Sequence, residues 1–586
     1  MTYRTTLAKL SLAFTVLVVG LGAGLSQAST QPVPLIDKAA ASAISTAFTH
    51  KKPDNFKQFL TQLSGDKSLA GGTGPAIEQY LAGKPLHATQ QNSIYRLLGI
   101  YTRVKYGQLA KEMLTKLVAI PTFKVADVPQ HENPNIKTMG KALEKIAGRF
   151  DLAFRNVDNR VFEVTLPGKS DALIGIHAHA DVVPVNKDLW VLDDGTKLDP
   201  FTVTTIDGRM YGRGTEDDKN GIVASLLAMK VIKEEQIPLL HTFRLMVDTT
   251  EETGAGAIEH YLKHNPTPDY NLALDGSYPV VIAEKGYGVI MANFPVRKGS
   301  GKGAEIVSLT GGLATNQIPK AATARIKTSK AKRLKADIDR LAKQYIAAKG
   351  KDFSSNTRID NGDLLLTMVG VSAHSSDPGS GINPVSRLLG LIAVLNRNLE
   401  IKENHITDAA QYANDNWGLD FHGKALGVDF NHEFMGPLTT ALTFIGLDEK
   451  KLQVAVNLRI PVGKEPAVLQ SEIEKKLSQW RTEHNVDMAV DYALSSPMYR
   501  NPEGKWVNAL LDVASENLGI ERRFGSSSGG TSVHDLPNGV QFGLSLPDAR
   551  YSGHNANEFK TVEQFLLDLQ IVTESFARLA NLPQLQ

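Results

Sequence analysis

Short apolar runs alternate with amphipathic stretches between about residues 106 and 292. ALIGIHAHA (172–180), TFRLMVDTT (242–250) and YNLALDG (270–276) have strand length and are apolar almost throughout. KNGIVASLLAMKVIKEEQ (219–236), between the first two, carries an apolar face at helical spacing. GQLAKEMLTKLVAI (107–120) is a second amphipathic helix that stops before Pro121. Strands without polar alternation, separated by helices, predict an α/β domain whose sheet is largely parallel and covered on both faces.

The pattern changes from about 293 to 495. GAEIVSLTGG, DLLLTMVGVSAHS and LQVAVNLRIPVG read as strands, with INPVSRLLGLIAVLNRNL as a helix between them. This predicts an α+β domain inserted into the first. The helices WVNALLDVASENLGI and TVEQFLLDLQIVTESFARLANL then return the chain to the first domain (496–586). Residues 29–105 read as helical, with a break at the Gly/Pro of GKP, and as an added decoration without obvious chemistry. At the start, Arg4 and Lys9 precede the apolar LSLAFTVLVVGLGAGL, and SQA offers small residues for cleavage after Ala28. That pattern predicts a signal peptide at 1–28 and an exported protein, periplasmic or secreted. The competing reading, a membrane anchor, asks more of an apolar run shorter than the ~20 residues of a span.

Composition narrows the chemistry. The 586 residues are 42% hydrophobic and 22% charged, as in soluble globular proteins. Sixty-four basic and 62 acidic side chains leave a net charge of +2, which argues against a general nucleic-acid or anionic-membrane binder. The basic run at 327–351 has one tyrosine and reads as the solvated face of a lid helix. There is no cysteine, which removes disulfides, thiol catalysis and thiolate metal sites. Any metal must be held by His, Asp and Glu.

Those residues stand where each predicted strand ends. The first run ends in His177, His179 and Asp181, the second in Glu251 and Glu252, the third in Asp275. Glu216, Asp217 and Asp218 open the intervening helix. Ligands of open α/β sheets sit beyond the carboxyl ends of the strands. Taken singly, each cluster has a plain structural reading, such as a helix cap or a loop acid. Together they would repel one another without a cation. In an extended segment His177, His179 and Asp181 share a side. A metal-bound imidazole needs a partner for its other nitrogen. His179 with Asp181 suits that arrangement, leaving His177 deeper in the strand as a packed or hydrogen-bonded residue.

HADVVP (179–184), GRGTEDDKNG (212–221) and TTEETG (249–254) resemble the zinc exopeptidases that include aminoacylases, carboxypeptidase G, carnosinases and PepV-type dipeptidases. LDGSYPVVIAEKG (274–286), GGLATNQIP (311–319) and SGHNANEF (552–559) are most similar to the PepV-type branch. The resemblance runs over about 106–580. It implies a zinc-exopeptidase-like catalytic domain with an inserted ferredoxin-like lid. It implies two zinc ions per chain, with manganese or cobalt as substitutes. His179 and Asp275 would bind one ion, Glu252 and His554 the other, and Asp217 would bridge them. Asp181 would orient His179, and Glu251 would be the general base on the water between the metals. His374, in GVSAHSSDPGSGINP, would meet the substrate oxyanion, and Arg459, in AVNLRIP, its carboxylate. Asn316, and Gly530 with Thr531 in GGTS, would be further substrate contacts. A closing lid would favour dipeptides over long chains. PepV-type enzymes are similar to monomers whose large lid replaces a partner subunit, so a monomer is expected.

Three other readings compete. GSSSG (525–529) matches a serine-hydrolase elbow around Ser527, but TSVHDLPNGV after it reads as a loop where an elbow needs a helix. The others are an aminoacylase or deacylase acting on N-acyl amino acids, and a non-catalytic peptide binder that keeps the fold.

Overall fold

The computed structural model describes residues 36–254, 256–350, 352–547, 549 and 551–586. The expected signal peptide lies outside the described residues. Among those residues no helix is long and apolar enough to cross a membrane.

The three apolar runs lie side by side. Thr242–Asp248, Leu173–His179, Tyr270–Ala273 and Gly539–Gln541 form the parallel centre of a nine-stranded sheet. Antiparallel strands flank it: Ala153–Val157 and Val161–Leu166 on one side, Val281–Glu284 and Met498–Tyr499 on the other. The sheet is thus mixed, with its parallel strands where burial is deepest. Helices Lys219–Glu234, Ala88–Val118 and Val562–Ala580 pack together over one face. Helix Ala257–Leu262 packs Tyr261 and Ile258 against Met246 and Ala273 on the other.

The inserted domain is an antiparallel sheet of eight strands with helices Ala331–Lys349, Pro384–Asn398, His405–Asn416 and Pro466–His484. A single ferredoxin-like unit has half as many strands. The core of this lid is its own: Ile290, Phe294, Leu366, Leu391 and Val454 belong to a cluster separate from that of the catalytic domain. The expected start at 293 falls inside a lid strand, Gly286–Pro295, and the last lid strand is Ala489–Leu494. An apolar strand pattern does not reveal which of two sheets it joins.

The expected boundary at 105 falls inside the 31-residue helix Ala88–Val118. The preceding helices are no decoration. Ile44, Phe56, Phe59, Leu63 and Tyr101 enter the catalytic core. Gly99 lies so close to Gln570 that a Cβ there would overlap its backbone carbonyl. Arg96, buried, binds Glu574 at 2.9 Å and the carbonyl of Ile36 at 2.7 Å.

Candidate metal centre

The parallel register brings the polar strand ends together. His179 lies opposite Asp248. Two residues beyond His179 comes Asp181, and three and four beyond Asp248 come Glu251 and Glu252. Asp181, fully buried, accepts hydrogen bonds from the backbone N–H of Glu251 at 3.1 Å and of Glu252 at 3.0 Å. Its carboxylate therefore holds the glutamate turn. His179 Nδ1 instead donates to the carbonyl oxygen of Asp181 at 2.9 Å, with the nearer carboxylate oxygen at 3.7 Å. The expected partnership of Asp181 with His179 exists, but it runs through the main chain. Burying a carboxylate beside two free amides decides the matter, because leaving those amides unpaired is the costlier arrangement.

His179 Nε2 points to Asp217 Oδ1 at 2.7 Å and Asp275 Oδ2 at 3.8 Å. On the other side of Asp217, His554 Nε2 lies 3.0 Å from Asp217 Oδ2 and 2.8 Å from Glu252 Oε1. Two sets of donors result, His179–Asp217–Asp275 and Asp217–Glu252–His554. In each, one ligand atom per residue lies within 4.8 Å of the others. Asp217 is common to both. His177 stands apart: its Nε2 pairs with Asn271 Oδ1 at 2.9 Å, and burial lowers its pKa to about 4.

His554 reaches this point from the far end of the chain. Strand Phe559–Thr561 pairs with Arg209–Tyr211, just before the Asp217 loop. Glu558, fully buried, then accepts from the backbone N–H of Gly214 (2.9 Å), Glu216 (2.9 Å) and Asp217 (3.2 Å), and from Arg213 at 2.5 Å. His554 itself has φ of 64°, a left-handed conformation that non-glycine residues adopt at a cost of order 1–3 kcal/mol. Glu558 thus does for Asp217 what Asp181 does for Glu251 and Glu252. Sequence reasoning gave Glu558 no role; its only signal was its place in SGHNANEF. Tyr551, which donates to Asp217 Oδ2, had no signal at all.

The electrostatics call for a cation. Burial raises the Glu251 carboxyl well above the ordinary range, and the charges of Asp275, Glu252 and Asp217 add to this against the pull of His179. Burial and Asp217 raise Asp275 to about 7. His554, bonded to Asp217 and Glu252, is raised to about 10. Against its burial, the two imidazoles hold Asp217 below the ordinary carboxylate range, but Glu251, Asp275, His179 and His554 are all driven to hold protons, the expected response of crowded carboxylates that lack a metal cation. Imidazole and carboxylate donors without thiolate suit zinc, manganese or cobalt. The residues present therefore fit a metal.

A cavity of about 410 Å³ opens over the cluster, lined in part by Asp217, Glu251, Asp275, Gly530, Thr531 and His554. The Thr531 hydroxyl donates to buried Glu284 at 2.9 Å, so its proton faces away from the cavity. Arg459, His374 and Asn316 are not among the lining residues. Arg459 Nη1 donates to the Ser528 carbonyl at 3.0 Å, and its guanidinium lies 5.0 Å over Tyr287. Asn316 is exposed, its carbonyl accepting from Ser375 N at 2.9 Å beside His374. Burial, with the charges of Arg459 and His554, lowers the His374 pKa. His374 Nδ1 faces the Ser376 hydroxyl at 2.6 Å and accepts from the Ser376 amide at 3.3 Å; with Nδ1 accepting from both, the neutral ring carries its proton on Nε2. Ser527 Oγ accepts from Gly529 N, and His534 faces Glu284, so no serine triad forms.

A profile of the family described as "Peptidase family M20/M25/M40" matches residues 175–581. "Putative dipeptidase YtjP" of Bacillus subtilis (strain 168) is 29% identical over 71% of this chain and 84% of its own length. The "Beta-Ala-Xaa dipeptidase" of Lactobacillus delbrueckii subsp. lactis is 27% identical over 80% and 95%. The crystal structure of human carnosine dipeptidase 1 aligns over 83% of this chain and 99% of its own, at 14% identity and a TM-score of 0.49.

Proposed function

The chain belongs to peptidase family M20/M25/M40, and we propose that it is an exported dipeptidase working with two zinc ions. It is a metal-dependent hydrolase acting on peptides. The observation that carries the finer reading is the pair of donor sets sharing Asp217. His179 and Asp275 would hold one ion, Glu252 and His554 the other, with Asp217 between them. When bound, the metals supply the positive charge that acidifies water and polarises the scissile carbonyl.

The chain's own residues do the rest. Glu251 lines the cavity with a carboxyl whose surroundings favour holding a proton. It takes a proton from the attacking water and passes it to the departing amine as the C–N bond breaks. Asp181 and Glu558 keep the ligand loops in place through backbone amides. His374, neutral with its proton on Nε2, donates to the oxyanion from the lid. Arg459 offers its guanidinium to the carboxylate of a short peptide, and Asn316 and Gly530 border the same substrate. Thr531 supports that wall with its hydroxyl turned to Glu284. The expectation of a monomer rests on the resemblance to PepV-type enzymes, whose large lid takes the place of a partner subunit. Residues 1–28 support export, to the periplasm or beyond.

The test is a panel of dipeptides, tripeptides and N-acetyl amino acids, assayed before and after chelation, with metal counted per chain. Dipeptide cleavage abolished by chelator and restored by zinc, at two ions per chain, is the expected result. Glu251→Gln should lower kcat by roughly 10²–10⁴ with metal content unchanged. Cleavage of acylated amino acids alone would replace the reading by an aminoacylase.

A further inference from the structure

Glu284 is a second buried carboxylate ringed by donors, outside the metal centre. It ends strand Val281–Glu284, two residues before the first lid strand begins. It is fully buried and accepts from Thr531 N (3.2 Å), Thr531 Oγ1 (2.9 Å), Gln541 Nε2 (2.6 Å) and His534 Nδ1 (2.7 Å). The other ring nitrogen of His534 donates to the carbonyl of Ser496 at 2.8 Å. A carboxylate on one side and a carbonyl on the other can only accept, so the ring carries both protons. Burial opposes that charge, but the bonds to Glu284 and Ser496 raise its pKa. Asp535 is the next residue. The Arg500 guanidinium, whose charge also faces Glu284, is tied to the carbonyls of His534, Leu536 and Gly539.

The place of this pair matters more than its strength. Glu284 lies where the chain leaves for the lid, and Ser496 lies where it returns. The two crossings are pressed together: Tyr287 and Ser495 exchange hydrogen bonds of 2.8 Å, and a Cβ at Gly286 would overlap the Ser495 carbonyl. Meanwhile Thr531 and Gly530 belong to the cavity wall. A Cβ at Gly530 would stand 3.5 Å from Glu284 Oε2 and 3.6 Å from His534 Nδ1. From the lid, Arg459 holds the same loop at Ser528.

We propose that Glu284 and His534 are positioning residues whose ion pair locks the substrate loop, Ser527–Thr531, in register with the lid hinge. Hinge angle and cavity wall then move as one. The inference rests on the cavity being the substrate site. Because the folded His534 pKa lies above its unfolded value, the lock is complete below about pH 6.5. It is lost as pH rises through the raised pKa.

The experiment compares the metal-loaded enzyme with Glu284→Gln and His534→Gln. It reads metal content, kcat and KM for a dipeptide across pH, and amide exchange of residues 495–498 and 527–531. Expected are unchanged metal content, a KM raised about tenfold or more, and a kcat within about threefold. Both segments should exchange faster together. Wild-type KM should climb with pH while that of His534→Gln stays high throughout. An unchanged KM, or faster exchange in only one segment, overturns the proposal. Should Glu284→Gln fail to fold, His534→Gln, whose ring is partly exposed, decides alone. A wild type that cleaves no dipeptide would refute the substrate reading, while the exchange of the two segments would still judge the lock.

Discussion

Residues 36–105 and the lid, residues 286–494, are both added to the catalytic domain, and they are attached in opposite ways. The first contributes Phe56, Phe59 and Tyr101 to the catalytic core and sends Arg96 into a buried pair with Glu574. The lid has a core of its own and joins the sheet through two adjacent crossings. One addition shares its hydrophobic burial with the catalytic domain, and the other is hinged on it. Cooperative stability follows shared burial, whereas relative motion needs an interface that can open without exposing a core.

The most severe way to break this contrast is deletion. Removing residues 29–105 should leave a chain that does not fold. Excising 288–493 and joining Tyr287 to Leu494 by a short turn should leave a folded catalytic domain that binds metal and turns nothing over. Circular dichroism, metal calorimetry and the dipeptide assay separate these results, and a folded protein from the first deletion would contradict the shared core.

Single side chains sharpen it. Phe59→Ala and Phe294→Ala each remove a fully buried ring, at a cost of about 3–5 kcal/mol. The first should lower the unfolding transition that metal binding raises. The second should lower a lid transition and leave the metal-dependent one in place, as scanning calorimetry with and without zinc would record. A smaller effect is expected at Arg459. Its change to Ala should raise KM for a dipeptide about 10–100-fold with kcat less affected, given ~1.5–3 kcal/mol for a hydrogen bond to a charged group. An equal fall in kcat would instead assign Arg459 to the reaction step.

The mildest probe is acid. Burial works against the Glu574 charge, but Arg96 and Arg578 hold its pKa below the ordinary carboxylate value. A depressed folded pKa contributes stability that is present above the unfolded value, about 4.3, and is lost as pH falls through the folded one. Exchange protection of helix Ala88–Val118 should therefore fall below about pH 4, and Glu574→Gln should flatten that dependence.

Local pattern made the strand ends legible, because the imidazoles and carboxylates gathered at the ends of neighbouring apolar strands would repel one another without a cation, although each taken singly has a plain structural reading. Asp181 was legible as a partner of the candidate metal ligands but not by its mode of contact, since spacing cannot tell a carbonyl from a carboxylate. Glu558 was hidden because its bonds depend on pairing between strands some 350 residues apart. The helical start looked peripheral for a related reason. From Ser93 to Thr102 the helix is buried all round, so it lacks the single apolar stripe that advertises a packing face.

The order of the metal donors along the chain has a consequence for how the enzyme is made. His179, Asp217, Glu252 and Asp275 leave the ribosome within about 100 residues of one another, but His554 and the Glu558 clamp follow only after the whole lid, some 280 residues later. A nascent or truncated chain ending before Gly553 carries one candidate donor set complete and, of the other, Asp217 and Glu252 without His554. Arrival of the His554 segment is then the step that completes the paired site, and a chain stopped short of it holds only the first candidate donor set intact.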